Sequence, residues 1–586
     1  MAFSLRQTHK KNDIYLQIYE NYWDKELKQP RNRHIESLGY VSDLISEDIP
    51  DPVVHFKAVV ENMNRQRTEE FDEKTRPRAF TANVEKNVGY FLIHALIEEL
   101  NVKEVVDILA SARQFQFSLY DMLTQLIFAR VICPCSKSAS VSNVFPMLYR
   151  YSQMSEDQVY DGLFFMGSFY NKYIELFNYA YEKHFKRNFK NVFFDCTNYY
   201  FEIDRPYEDK QKGPSKENRS EPIIGQAMLL DGDLVPIAMQ MFPGNNSEKP
   251  YIRKTIEEMK QRYKVEGRTI QVADKGLNCA RNIYAAVIES KDGYIFSKSI
   301  HGTGLNDIEK QWLLLENEEN VFTDYRDSNN TLLFRIKECV DTFSYTFNEI
   351  DPESGKKESI TFHVKEKRIV SFNPSLANKQ RAEITRMAEK ASGFISYKKY
   401  SREEIGDSAK YIVIDNKGKN NTAPIYKLNN AKIQEDLKYA GYNLIVTSET
   451  DMPALKVYQT YHSLWKIEES FRITKSFLDA RPVYVQKRET IYGHFLICYL
   501  CLFLLRLLEI KCFDNKVNAY DLINFIRDFR IVDKGNNQYI NISSNRQLNE
   551  TIKKLTGLTN LDALVLTKKE VDNLFDNSMI IPSKVL

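Results

Sequence analysis

The chain has 586 residues, and since single domains hold roughly 100–200 residues, three or four structural units are expected rather than one. Hydrophobic residues make up 43% and charged ones 27%, which excludes global disorder. Lys and Arg number 81 against 79 Asp and Glu, so the net charge of +2 excludes nucleic-acid binding by bulk charge and leaves only local patches.

The N-terminal MAFSLRQTHKKNDIYLQ lacks the continuous apolar stretch of a signal peptide, and the eight cysteines lack the dense spacing of a disulfide scaffold. Both point to a reducing cytoplasm. Ile14 to Ile45 reads as short alternating stretches broken by Pro30 and Gly39, and Glu47 to Arg78 as a linker rich in Pro and charge. Residues 1–80 are therefore read as a small N-terminal module and linker. Between Val88 and Tyr181 apolar residues recur at helical spacing, as in LYDMLTQLIFARVI, so 81–188 is expected to be a helical domain. Such a domain either grips DNA or simply packs.

The period changes at Asn191. Strand runs at VFFD, PIIGQAMLL and LVPIAMQMF, the last two flanking Asp231-Gly232-Asp233, give three antiparallel strands. A helix (Pro250 to Tyr263), a strand (Arg268 to Asp274), a helix (Asn278 to Ser290) and a strand (Gly293 to Ser299) follow, closing a core segment at 189–300. Residues 301–440 read as a β-rich insertion with one helical stretch, Asn378 to Ala391. Strand character returns at YNLIVT (Tyr442 to Thr447), then a long helix from about Pro453 to Leu478, so 441–512 resumes the core and 513–586 is a C-terminal helical region. The apolar run Ile491 to Ile510 reaches membrane-spanning length but carries His494, Arg506 and Glu509, which favours a buried helix over a membrane span. Cys498 and Cys501 lie within it, where thiols act as small hydrophobes rather than as a zinc pair with Cys133 and Cys135.

Asp195 closes the run Val192-Phe193-Phe194 and Asp274 closes Ile270–Ala273, so both carboxylates are expected where strands leave a sheet, the edge at which α/β folds bind ligands. Either aspartate alone reads better as a strand-end cap. On the helix, Tyr461, Leu464, Glu468, Arg472 and Lys475 fall three or four residues apart and share one face.

These residues resemble the Tyr-x2-Arg-x3-Glu-x6-Lys signature of DDE transposases in the insertion-sequence-four superfamily: Tyr461, Glu468 and Lys475 match, while Leu464 stands where the arginine belongs. VFFDCTNYYFE resembles the first-aspartate block, VADKGL the second, and FPGNNSE the segment between them. GPSKENRSE and IEESFRITKSFLDARPVYV resemble the branch named for insertion sequence sixteen thirty-four. The resemblance implies an α/β fold with a ribonuclease H-like catalytic core interrupted by a β-rich insertion, a helical N-terminal DNA-binding region and a helical C-terminal region.

It also implies Asp195, Asp274 and Glu468 as catalytic metal ligands, with Asp195 bridging two ions. Tyr461 and Lys475 would contact DNA phosphates, and Lys466 or Arg472 would replace the missing arginine. An all-carboxylate set favours two divalent ions, Mg2+ with Mn2+ as substitute. Double-stranded DNA, as terminal inverted repeats and target, is the implied partner of a homodimer in a paired-end complex, cytoplasmic and associated with a bacterial nucleoid. The competing readings are a ribonuclease H-like nuclease or resolvase without strand transfer, and a non-catalytic DNA-binding descendant. Between Glu468 and its neighbour Glu469, only Glu468 satisfies the spacing to both Tyr461 and Lys475.

Overall fold

Leu16, Ile18 and Glu20 are buried while the residues between them are not, the two-residue period of a strand with one covered face. This strand, Asp13–Asp24, is the centre of a three-stranded antiparallel sheet with Ala2–Lys10 and Gln29–Tyr40. A helix, Pro52–Thr75, covers one face: Asn64 exchanges hydrogen bonds with the Phe3 backbone, and Arg67 pairs with the buried Glu20 at 2.6 Å. The stretch read as a linker is therefore mostly helix, because no Gly or Pro interrupts it between Pro52 and Thr75. The structure is a computed structural model that describes all residues except 1, 11–12, 25–28, 47–48, 76–84, 217–219, 302–303, 351–354, 398–399, 401, 416–424 and 583–586. The end of the expected linker and residues 351–354 of the expected β-rich insertion lie outside the described residues. Two units result, Met1–Asn83 and Val84–Leu586.

In the larger unit nine strands share one sheet. They are β1 (Asn191–Tyr200), β2 (Ile223–Leu230), β3 (Pro236–Pro243), β4 (Ile270–Ala273), β5 (Gly293–Lys298), β6 (Thr323–Arg326), β7 (Leu332–Ile350), β8 (Lys357–Phe372) and β9 (Tyr442–Thr447). Their order is β6-β7-β8-β9-β5-β4-β1-β2-β3, with β4 parallel to both β1 and β5 and all other pairs antiparallel. The central strands are apolar at consecutive positions because both faces are covered. Phe193, Met228, Val272 and Ile295 enter one core, and Val192, Phe194, Leu229 and Phe296 the other.

The expected β-rich insertion is not a separate sheet. β7 and β8 pair from Arg335↔Phe372 to Ile350↔Lys357, and the inner end of β8 pairs with β9, so three of the insertion's strands extend the main sheet, while Ile412–Asp415 and Ile425–Leu428 pair apart from it as a two-stranded sheet. The C-terminal region, expected to be helical, carries helices and also strands: Arg530–Gly535, Gln538–Asn541 and Val565–Thr567 form a four-stranded sheet with Glu85–Asn87. Its hairpin turns at Asn536-Asn537, both at positive φ, a turn chemistry that the short charged run around it conceals.

The first core is built by helices around α4 (Arg488–Leu507), whose apolar stretch is buried along its whole length rather than presented to a membrane. It packs closely against α1 (Glu156–Ser168), since a Cβ at Gly167 would collide with the Glu489 carbonyl and one at Gly493 with the Leu163 carbonyl. Gly493→Ala is expected to force the helices apart and destabilise the larger unit by about 1–3 kcal/mol, visible as an earlier urea midpoint. An unchanged midpoint would show that the crossing has slack.

Candidate active site

Parallel pairing of β1 with β4 runs from Asn191↔Ile270 to Phe194↔Ala273, so the next residues, Asp195 and Asp274, emerge side by side at the carboxyl edge. Asp274 ends its strand. Asp195 does not, contrary to expectation: β1 continues to Tyr200 on its antiparallel partner β2, because β4 peels away into the turn after Ala273 while β2 runs on. The Asp195 carboxylate is therefore anchored within a strand, and its Oδ1 accepts the Cys196 backbone N–H at 2.7 Å. Burial, reinforced by the negative charges of Glu248 and Asp274, raises its pKa to about 6 against the opposing Lys216 and Cys196 N–H.

The helix expected from about Pro453 to Leu478 breaks at Ser463-Leu464 into α2 (Ala454–His462) and α3 (Trp465–Arg472), and continues in a wider turn through Phe477. From α2, the Tyr461 hydroxyl donates to Asp274 Oδ1 at 3.0 Å. Burial and the Asp274 charge push this phenol above its ordinary range. From α3, Glu468 is exposed at the mouth of the site; partial burial and Asp274 raise its pKa, with Arg472 and Lys216 opposing. Lys475 follows, its ammonium 5.3 Å from the ring centre of Tyr199 on β1. Leu464, at the signature's arginine position, is in the core and Trp465 is exposed.

Glu469 points the other way. It joins a buried network in which Arg506 Nη2 lies 2.8 Å from Glu469, Arg506 Nη1 2.6 Å from Glu509, and Lys466 2.9 Å from Glu469 and 2.8 Å from Glu509. Lys466 is thereby corrected as a phosphate-contact candidate, since its amine is held between two carboxylates and away from solvent. Arg472 stays exposed beside Glu468.

Sequence reasoning misses two participants. Lys216 Nζ stands 3.6 Å from Asp195 Oδ1 and 3.6 Å from Glu248 Oε1, and donates to the Cys196 carbonyl. Both residues fall in the blocks GPSKENRSE and FPGNNSE, which carried the signal. Residues 217–219 of the first lie outside the described residues. A cleft of about 510 Å3 opens beside them, lined by Asn198, Asn245, Ser247 and Lys249 among others. Among the described residues, no three His, Cys, Asp or Glu side chains stand close enough to enclose an ion as they lie. The Lys216 ammonium supplies the positive charge between Asp195 and Glu248, and the atoms around it are hard oxygens, two carboxylates and the Cys196 carbonyl, the donor type suited to Mg2+ or Mn2+.

A mixed α/β protein with adjacent carboxylates at a sheet edge and a glutamate brought up by a helix is the class defined by this geometry. The family model described as a transposase DDE domain matches residues 200–504, just over half of the chain and including Asp274 and Glu468. The chain belongs to this family and is a DDE transposase, an enzyme of transposition. Enzymes of the family use divalent metal ions. No curated protein matches the chain. Among solved structures, a piggyBac transposase synaptic complex with hairpin DNA aligns over 84% of this chain and 85% of that one, at 12% identity and a TM-score of 0.32, a likeness that defines neither fold nor chemistry here.

Proposed function

We propose that the chain is a transposase of the insertion-sequence-four superfamily, of the branch named for insertion sequence sixteen thirty-four. It binds the terminal inverted repeats of its element, cleaves at the ends and joins the 3′-hydroxyls to target DNA. The observation that carries this reading is the emergence of Asp195 and Asp274 side by side from parallel neighbours, with Glu468 within electrostatic reach of Asp274. The order β3-β2-β1-β4-β5, three antiparallel strands and then two parallel ones, supports a ribonuclease H-like core formed by 189–300 and 441–512 around the inserted 301–440.

Asp195, Asp274 and Glu468 would hold two divalent ions, Mg2+ or Mn2+ in its place, once Lys216 swings aside. Held by these three carboxylates, divalent ions would supply the charge for activating the attacking oxygen and stabilising the leaving one. The chain's own groups do the rest. Tyr461 orients Asp274 through its hydrogen bond, fixing one carboxylate lone pair before substrate arrives. Arg472, exposed at the end of α3, and Lys475, half-buried in the wider turn that follows, neutralise phosphates flanking the scissile bond. Lys216, displaced from Asp195, remains on the cleft wall to receive another phosphate. Glu469, tied to Arg506, sets the rotation of α3 that turns Glu468 to the mouth.

The partner is double-stranded DNA, held by two copies of the chain in a paired-end complex on the nucleoid of a bacterial cytoplasm. The test is an assay with the wild-type chain, Mg2+, duplexes carrying the element's ends and a supercoiled target plasmid. End-joined plasmid is the expected product. Cleavage without joining would replace the reading with a nuclease or resolvase, and absence of any metal-dependent cleavage would overturn it.

A further inference from the structure

In the N-terminal unit one face of the three-stranded sheet is covered by the helix Pro52–Thr75 and the other is open. Along the central strand the open positions read Tyr15, Gln17, Tyr19, Asn21 and Trp23, aromatic and amide residues in strict alternation. One edge strand, Ala2–Lys10, places cations over these rings: the Arg6 guanidinium is 5.2 Å from the Tyr19 centroid and the Lys10 ammonium 4.8 Å from that of Tyr15. His34 packs edge-on against Tyr19 at 5.4 Å, and Trp23 is 56% exposed.

The charge is sorted by face. Glu20 lies on the helix side, paired with Arg33 and Arg67, and Glu36 shares that side because it pairs with Ile18. Among the described residues of the central strand, the one carboxylate with open-face parity is Asp13, at the rim, where its Oδ2 accepts the Ser42 hydroxyl at 2.6 Å. The open face is thus a platform of cations, amide donor–acceptors and rings. Three strands about 4.8 Å apart span roughly 10 Å, which fits a major groove about 12 Å wide. Arg and Lys suit phosphates, while Gln and Asn present the paired donor and acceptor that read base edges.

We infer that this open face is a duplex-DNA reading surface that enters the major groove, so that end recognition resides in the small N-terminal sheet rather than in the helical region 81–188. The inference rests on the proposed action on DNA ends. Charge complementarity selects a polyanion, and amides alternating with rings along one strand select a duplex edge over a loose single strand.

The test uses the full chain and fluorescent short duplexes tiling both flanks of its coding sequence, with a scrambled duplex and the matching single strands as comparators. The wild type is expected to select one duplex from each flank. The Arg6→Ala/Lys10→Ala/Trp23→Ala variant, altered only at exposed positions, should lose at least ten-fold in affinity and fall to the scrambled level. Its salt slope should drop by roughly two, one per phosphate contact removed. Arg65→Ala, which removes one positive charge from the covering helix, should bind as the wild type does. Unchanged selectivity in the triple variant, equal loss in Arg65→Ala, preference for single strands, or no selected duplex in the wild type would overturn the inference. Cleavage distinguishes the two readings: if the triple variant still selects and cuts the ends, the sheet assignment fails and the proposed function stands. If the wild type selects ends through this face but never cuts, the reverse holds.

Discussion

Asp195→Asn is expected to lose at least about 10³-fold in both end cleavage and strand transfer while retaining affinity for the end duplexes. Asparagine keeps the shape and still accepts the Cys196 N–H, but it cannot carry the negative charge that the site needs. Withdrawing about 4 kcal/mol of charge stabilisation from phosphoryl transfer corresponds to roughly three orders of magnitude in rate. The same substitution frees Lys216 from one of its two carboxylates, so binding to the polyanion should hold or tighten slightly. Single-turnover cleavage beside a gel-shift titration separates the two quantities. Cleavage within a factor of ten of wild type would remove Asp195 from the chemistry, and parallel loss of binding would make its role structural.

Arg506→Ala is expected to destabilise the larger unit by about 3–5 kcal/mol, the scale for leaving buried carboxylates without their partner. Arg506 is fully buried and holds Glu469, Glu509 and Ser470 together. Lys466 alone would then face two carboxylates. Urea unfolding followed by tryptophan fluorescence suits the measurement, since Trp465 sits on the affected helix and the chain has three tryptophans. Cleavage should fall as well, because α3 loses the anchor that turns Glu468 outward. A variant as stable as wild type would show that the network adds specificity without net stability.

The network also explains how far the site was legible beforehand. Spacing to Tyr461 and Lys475 picks Glu468 over Glu469, and the structure puts Glu468 at the mouth and Glu469 in the core. Lys466 escaped the same reasoning: spacing places it on α3, but its partner Glu509 lies 43 residues away, beyond any local pattern. Lys216 and Glu248 sat in recognisable blocks without a visible role, because the role is mutual and crosses a loop and a sheet edge.

The sequence by itself determined the strand and helix character of 191–299 and 442–472, the buried character of Arg488–Leu507, and the transposase DDE family. Alternation, helical spacing and motif offsets are properties of consecutive residues, so they survive without coordinates. Only the tertiary structure decided that Asp195 lies within a strand, that the insertion's long hairpin extends the main sheet, and that the C-terminal region supplies strands to Glu85–Asn87. Each depends on which distant backbone accepts a strand's hydrogen bonds, a choice made by long-range pairing and burial rather than by neighbours along the chain.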